Sequence, residues 1–301
     1  MKARILSIAL SALISAACLS PAADRLSAEA VSKWELEGGY TEYSDHNDGE
    51  YGLDYYIYPD HAVLVQATWD WSGIIIPETV NGVPVTAIAD EAFMGQTSSY
   101  IEIPSTVTDL GNSLSALATT LTLEVDPGNK SYINTGDAVY TSDMKELVRC
   151  SSFYEGKEFT IPDTVEKIDA NAFYGIESIE KINIPASVSE IGNSAFSGCK
   201  NLQSIEVDGD NKYYSSADGV LFNKCMDILY LYPRANSNTS YTIPDSVKEI
   251  YDEAFSFCDN LETVSFGSSV EVIGYSAFSA CDKLNNIVLP DSLEEIKDFA
   301  F

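Results

Sequence analysis

The strongest constraint on this chain is a unit that returns every 23 residues. It reads IPDTVEKIDANAFYGIESIEKIN from Ile161 and IPASVSEIGNSAFSGCKNLQSIE from Ile184. It returns as IPDSVKEIYDEAFSFCDNLETVS from Ile243, FGSSVEVIGYSAFSACDKLNNIV from Phe266 and LPDSLEEIKDFAF from Leu289. Phe173 and Phe196, Phe255 and Phe278, and Phe278 and Phe301 are each 23 apart. A unit this short cannot bury its own apolar face, so the copies must stack and share a core.

The gap from Phe196 to Phe255 is 59, so an insert interrupts the array. The insert is itself repeated: VDPGNKSYINTGDAVYTSDMKELV from Val125 aligns without gaps on VDGDNKYYSSADGVLFNKCMDILY from Val207, an offset of 82 that also carries Phe173 onto Phe255. Alternation at Val220, Phe222, Leu229 and Leu231 about a turn predicts a β-hairpin added to the stack. Upstream, IIIPETVNGVPVTAIADEAF keeps the same grammar with five extra residues, and STVTDLGNSLSAL is a worn copy with Leu114 in the phenylalanine place. The array therefore starts near Ile74. Residues 31–73 lie outside it and read as an N-terminal cap, with a hairpin from Tyr55 to Ala67 turning at Pro59-Asp60.

Within each unit, L-x-x-I-x-V/I (Leu202, Ile205, Val207; Leu261, Val264, Phe266; Leu284, Ile287, Leu289) predicts a short strand with alternating inward residues. Stacked copies form a parallel sheet, and proline ends each strand because it cannot donate a ladder hydrogen bond. S-V-x-x-I and A-F point inward from the opposite wall, giving a filled tube that rises about 4.8 Å per coil. Three residues after the phenylalanine come Gln96, Ile176, Cys199, Cys258 and Cys281. Exchange of isoleucine and cysteine in one row points to a small buried slot, so Cys199, Cys258 and Cys281 read as structural thiols. Cys258 and Cys281 sit on adjacent coils, near enough to oxidise. Cys150 and Cys225 face Tyr232 and Asp143 at the offset of 82 and receive no role.

The unit I-P-x-S-V-x-x-I-x-x-x-A-F-x-x-C-x-x-L resembles the BspA-like leucine-rich-repeat family from Ile74 to Phe301. So do Asn211-Lys212-x-Tyr214, Asp218-Gly219-Val220-Leu221-Phe222 and Asn81-Gly82-Val83-Pro84-Val85. The resemblance implies a leucine-rich-repeat solenoid, a β-rich right-handed stack of coils with one short parallel strand per repeat, short helical turns and inserted β-hairpins. It also implies an exported or surface protein of a bacterium, with roles in adhesion and protein recognition. Peptidase or dockerin modules that accompany such repeats are not visible. The chain stops at Phe301 inside a repeat, so a truncated C-terminus is expected.

Lys2 and Arg4 precede an apolar run from Ile5 to about Leu19, followed by small residues, so residues 1–30 read as a secretory signal and short leader. Cleavage after Ala17, Ala22 or Ala30 fits. Ser15-Ala16-Ala17-Cys18 offers a lipoprotein alternative with acylation of Cys18, although Ser15 stands where the usual leucine belongs. No stretch approaches the roughly 20 apolar residues of a membrane helix. The formal charge of −29 disfavours nucleic acid and anionic lipid, and it favours cations or basic proteins. The five cysteines left without Cys18 do not make a disulfide framework.

Catalytic grammar is thin. His46 and His61 are the only histidines, both in the cap, with no flanking motif. No zinc-protease motif, phosphate loop or C-x-x-C occurs, and no cofactor or metal is expected. Asp208-Gly209-Asp210-Asn211 suggests a calcium loop, but Tyr213 stands in the glycine place and Gly219 in the glutamate place, so a turn is expected. Asp45-His46-Asn47-Asp48-Gly49 fails in the same way. Trp69 and Trp71 flank Asp70 and read as cap seals or as sugar-stacking platforms. The outward strand positions form a polar face: Glu180, Lys181, Asn183; Gln203, Ser204, Glu206; Glu262, Thr263, Ser265; Asn285, Asn286 and Val288. The expected function is non-catalytic extracellular protein recognition or adhesion through that face. The alternatives are a carbohydrate-binding module and the repeat portion of a larger secreted enzyme.

Overall fold

The computed structural model describes residues 39–45, 52–68, 73–94, 100–116, 122–285 and 287–301. The strand motif forms as its alternation requires: Ile182, Ile184 and Ile205 point inward and are fully buried, while the residues between them face out. Strands Glu158–Thr160, Lys181–Ile184 and Ser204–Val207 run parallel, with Lys181 opposite Ser204 and Ile182 opposite Ile205, one repeat apart. The same wall contains Ile74–Ile75, Tyr100–Ile103 and Thr122–Val125 earlier in the chain. Later it contains Ser240–Thr242 and Thr263–Ser265, with Ser265 bridging to Val288.

Beyond each proline corner the chain makes a second parallel wall, an addition to the single strand per repeat expected from the sequence. Lys167–Ile168 pairs with Glu190–Ile191, and Glu249–Ile250 pairs with Val272–Ile273, which pairs with Glu295–Ile296. The A-F corners are tight turns: the Ala277 N–H donates to Gly274 O at 3.3 Å and the Ser279 N–H to Ser276 O at 3.1 Å. The residue two before each phenylalanine takes the left-handed region, at Asn171, Ser194, Glu253, Ser276 and Phe299, with φ between 50° and 59°, and so does the residue two after it at Gly175, Gly198, Phe257 and Ala280. Neighbouring coils hold that geometry, as when the Glu253 N–H donates to Tyr275 O at 2.8 Å. The one helical segment among the described residues is the 3₁₀ turn Ser113–Ala116.

The insert is spliced into the second wall. Tyr214–Ala217 and Val220–Asn223 form an antiparallel hairpin turning at Asp218 (φ 53°) and Gly219 (φ 79°). Two consecutive left-handed residues match the twist of a two-residue hairpin. A third strand, Ile228–Leu231, pairs antiparallel with the hairpin and parallel with Glu249–Ile250. Tyr132–Asn134, Ala138–Thr141 and Glu146–Cys150 repeat this pattern earlier.

The third strand then enters the phenylalanine column. The Tyr232 N–H donates to Ala254 O at 2.8 Å and the Cys150 N–H to Ala172 O at 2.7 Å, as the Phe255 N–H does to Ala277 O at 2.7 Å. Cys150, given no role from the sequence, fills a phenylalanine slot and is fully buried. Ring stacking runs in two stretches instead of one continuous stripe. Phe173 lies 5.6 Å from Phe196, whereas Tyr232, Phe255, Phe278 and Phe301 follow at 5.1, 4.7 and 5.3 Å. The buried side chains likewise divide at the inserts into successive cores.

In the N-terminal segment, Gly52–Ile57 and Ala62–Thr68 form the expected hairpin across Pro59-Asp60, and Ala62–Thr68 pairs in parallel with Val83–Ile88. The extra residues before Phe93 make a tight turn at Asn81 and Gly82, both left-handed, between Thr79–Val80 and Val83–Ile88.

Candidate functional site

On the first wall the outward side chains form a polar ladder. Lys157 Nζ lies 2.6 Å from Glu180 Oε1 and Lys181 Nζ lies 3.3 Å from Glu158 Oε1. Asn183 Nδ2 donates to Glu158 Oε1 at 2.7 Å and to Thr160 Oγ1 at 3.0 Å. The Asn183 hydrogen bond and the Lys181 ammonium hold the Glu158 carboxyl below its ordinary range. Gln203, Ser204 and Glu206 extend the ladder by one coil. It stops there, because the hairpin tip folds over the edge: Gly219 O accepts from the Ile205 N–H at 2.9 Å and Ser216 Oγ accepts from the Val207 N–H at 2.9 Å. A Cβ on Gly219 would lie 2.8 Å from the Ser204 Cβ, so only glycine closes this contact.

Glu262, Thr263, Ser265 and Asn285 stand exposed on the separate sheet beyond, beside Val288. The polar positions thus lie on two strips divided by the insert. Asn286, Trp69, Trp71, His46, Gln96 and Cys18 lie outside the described residues. His61 stacks on Tyr58 at 4.5 Å with Nδ1 2.8 Å from Asp60 Oδ1, on the outer side of the cap hairpin. At Asp208 a turn forms, with the Asp210 N–H donating to Asp208 Oδ1 at 2.8 Å.

The cysteine row packs as a stack. Ile176, Cys199 and Cys258 are buried and Cys281 is half-buried. Cys199 Sγ donates to Phe173 O and Cys281 Sγ to Phe255 O, each at 3.0 Å. Burial pushes the Cys199 thiol up to about 12, and a hydrogen bond with the Cys281 thiol together with burial raises Cys258. Such thiols carry almost no thiolate at neutral pH.

A notch that sequence reasoning missed lies where the insert rejoins the coil. Ile228 pairs with Glu249, 21 residues on, whereas the following Tyr232 stacks on Phe255, 23 residues on. The insert coil is therefore two residues short at its corner, and the corners on either side face each other across the gap. Ser194 Oγ and Ser197 Oγ donate across it to Glu253 Oε2 at 3.4 and 3.3 Å. A cavity of about 500 Å³ opens between Gly198, Lys200, Arg234 and Phe257. It adjoins a hollow of about 80 Å³ walled by Tyr214, Tyr230 and Tyr251. Tyr230 meets Tyr214 at 5.8 Å and Tyr251 at 5.1 Å, edge to face. The readable signal was the spacing of 23 from Tyr232 to Phe255.

The earlier insert leaves a hollow of about 390 Å³, but a cation of the chain lines it. Lys167 Nζ bonds to Glu146 and lies 2.7 Å from Asp169 Oδ1. Burial, reinforced by the adjacent Glu146 carboxylate and opposed by Lys167, pushes Asp169 up to about 7. The folded chain thus holds this proton more tightly than the unfolded chain, whose carboxyl titrates near its ordinary 3.8. The resulting stability is fully present below that value and is lost as pH rises through about 7. Urea unfolding at several pH values between 4 and 8 is expected to show wild type losing more stability than Asp169→Asn as pH rises; parallel curves would contradict the raised Asp169 carboxyl.

A family model described as BspA type leucine rich repeat region matches residues 146–234 and 230–301 in six copies, more than half of the chain. The chain belongs to the BspA-type leucine-rich-repeat family. No curated protein matches it. Among solved structures, this BspA-type chain is similar to the pneumococcal vaccine antigen PcpA, at 21% identity and a TM-score of 0.48, over 83% of this chain and 71% of that one. It is also similar to a leucine rich cell surface protein from Faecalibacterium prausnitzii, at 22% identity and a TM-score of 0.45, over 87% and 86%. A leucine-rich repeat protein from Eubacterium ventriosum follows at 20% and 0.38, over 82% and 77%. Among the described residues, no helix is long and apolar enough to cross a membrane.

Proposed function

We propose that this BspA-type solenoid is an exported bacterial scaffold that recognises other proteins and catalyses no reaction. The observation that carries the reading is the side-chain ladder of the first wall, where Glu158, Glu180, Lys181 and Asn183 present hydrogen-bonding groups at one-coil spacing on a rigid parallel sheet. Side chains held in place by their neighbours lose little entropy when a partner docks. The described groups with catalytic potential are otherwise engaged: His61 stacks on Tyr58, Cys199 and Cys258 lie in the core, and the half-buried Cys281 donates its thiol to Phe255 O. The leader of residues 1–30, the cap of 31–73 and the repeats of 74–301 fit a cell-surface or extracellular protein, with a lipid anchor at Cys18 as the variant arrangement.

A screen of the purified chain against immobilised surface and matrix proteins tests this. Binding is expected to fall about tenfold or more in Lys181→Glu/Asn183→Ala with the melting temperature retained. Hydrolysis of peptides or glycans by the chain, lost in His61→Ala, would overturn the reading.

A further inference from the structure

We infer that the notch at the second insert is a receptor pocket for an arginine side chain of a protein partner; this deepens the recognition reading and rests on it. The notch combines aromatic faces with a carboxylate lacking a cation. Glu253 reaches only the hydroxyls of Ser194 and Ser197, at lengths near the limit of a hydrogen bond. Among the described residues no lysine or arginine pairs with it, while the cations around the notch each have a carboxylate. Arg234 meets Asp259 at 3.3 Å, Lys297 meets Asp252 at 3.3 Å, and Lys200 bonds to Glu177.

The rings of Tyr230 and Tyr251 stand at 65° to each other beside this carboxylate, which suits a flat guanidinium stacked on one face while its N–H fork meets Glu253. The chain already uses this chemistry a few residues away, where the Arg234 guanidinium lies 4.7 Å over the Phe257 ring while bonded to Asp259. Tyr230 and Tyr251 line a hollow of about 80 Å³, room for the flat guanidinium group alone, and Glu253 lines both this hollow and the adjoining cavity of about 500 Å³, through which the rest of the side chain would enter. The whole-chain charge of −29 attracts a basic partner toward it.

The earlier notch shows what the second has gained. At positions 82 residues back, Asn171 stands for Glu253, Asp169 for Tyr251 and Val148 for Tyr230. There Lys167 supplies the cation from within. The second notch replaces that internal pair with a tyrosine wall and a carboxylate open to an outside cation.

The test is titration of the full chain with N-acetyl-L-arginine amide by calorimetry and ligand-observed NMR, with N-acetyl-L-citrulline amide and methyl glucoside as comparison probes. Saturable millimolar binding of the arginine probe is expected, weakened about tenfold in Glu253→Gln, weakened in Tyr251→Leu, and retained in Tyr251→Phe and in the distant Glu294→Gln. Equal binding of citrulline, preference for the glucoside, or indifference to Glu253→Gln in a variant that melts like wild type would overturn the inference. Arginine binding without capture of any protein would withdraw the recognition reading and leave the pocket. Protein capture unaffected by Glu253→Gln, with no arginine binding, would withdraw the pocket alone.

Discussion

Replacing Asn211 with alanine is expected to destabilise the solenoid by about 3–4 kcal/mol, because one buried amide satisfies four backbone groups. Its Nδ2 donates to Pro185 O and Val188 O at 2.8 and 2.9 Å, and its Oδ1 accepts from the N–H groups of Tyr213 and Tyr214 at 2.8 Å each. The side chain is 1% exposed, so water cannot replace these bonds without opening the coil. The amide thereby ties the start of the insert to the proline corner of the preceding coil, and Tyr214 is carried to where its hydroxyl accepts from the Ile191 N–H at 3.1 Å. Asn129 repeats the arrangement one unit earlier, bonded to Pro104 O, Val107 O and the N–H groups of Ser131 and Tyr132. Asn211→Asp keeps the two accepted bonds but turns lone pairs toward two carbonyls. It should lose comparable stability at neutral pH and recover part of it in acid, where the protonated carboxyl donates once. Urea unfolding at two pH values checks both. A loss below about 1 kcal/mol for Asn211→Ala would show that the four bonds are remade elsewhere.

The stacking was legible because periodicity is a property of the chain: Phe173 and Phe196, and again Phe255 and Phe278, fall inward at their spacing of 23. That the opposite wall is itself built of paired strands was hidden because they are two residues long, too short to show alternation. Cys150 and Tyr232 seemed unrelated when the two inserts were compared only with each other. Measured against the 23-residue unit, both occupy the phenylalanine slot, and chemistry differs there because only Tyr232 has a ring to stack on Phe255. The outward polar positions followed from strand alternation, but their division into two strips depends on the Asp218-Gly219 tip reaching Ser204, a contact between segments that local pattern does not encode. The notch escaped for a related reason. Its residues belong to three different coils, and what brings them together is a deletion of two residues from a corner.

Phe255→Ala is expected to cost about 4 kcal/mol, the upper range for emptying a packed aromatic site, and the same truncation along its column should cost progressively less. Phe255 is fully buried and its ring meets Tyr232 at 5.1 Å, Tyr241 at 5.9 Å and Phe278 at 4.7 Å. No neighbour can collapse into the space, because each is held by the strand pairing of its own coil. Phe196 stands at the lip of the notch, 7% exposed, with Phe173 as its stacking partner at 5.6 Å. Solvent already reaches one side of it, so its truncation should cost about 2–3 kcal/mol. Phe301 is 52% exposed and stacks on Phe278 from one side only, so its loss should stay below about 1 kcal/mol. Because each coil contacts only its neighbours, Phe255→Ala should also raise amide exchange first in the segment from Ile228 to Phe278 and leave the coils before the insert protected. Equal losses for Phe255, Phe196 and Phe301, or exchange that rises uniformly along the chain, would mean that the solenoid unfolds as one unit and that the notch does not interrupt its core.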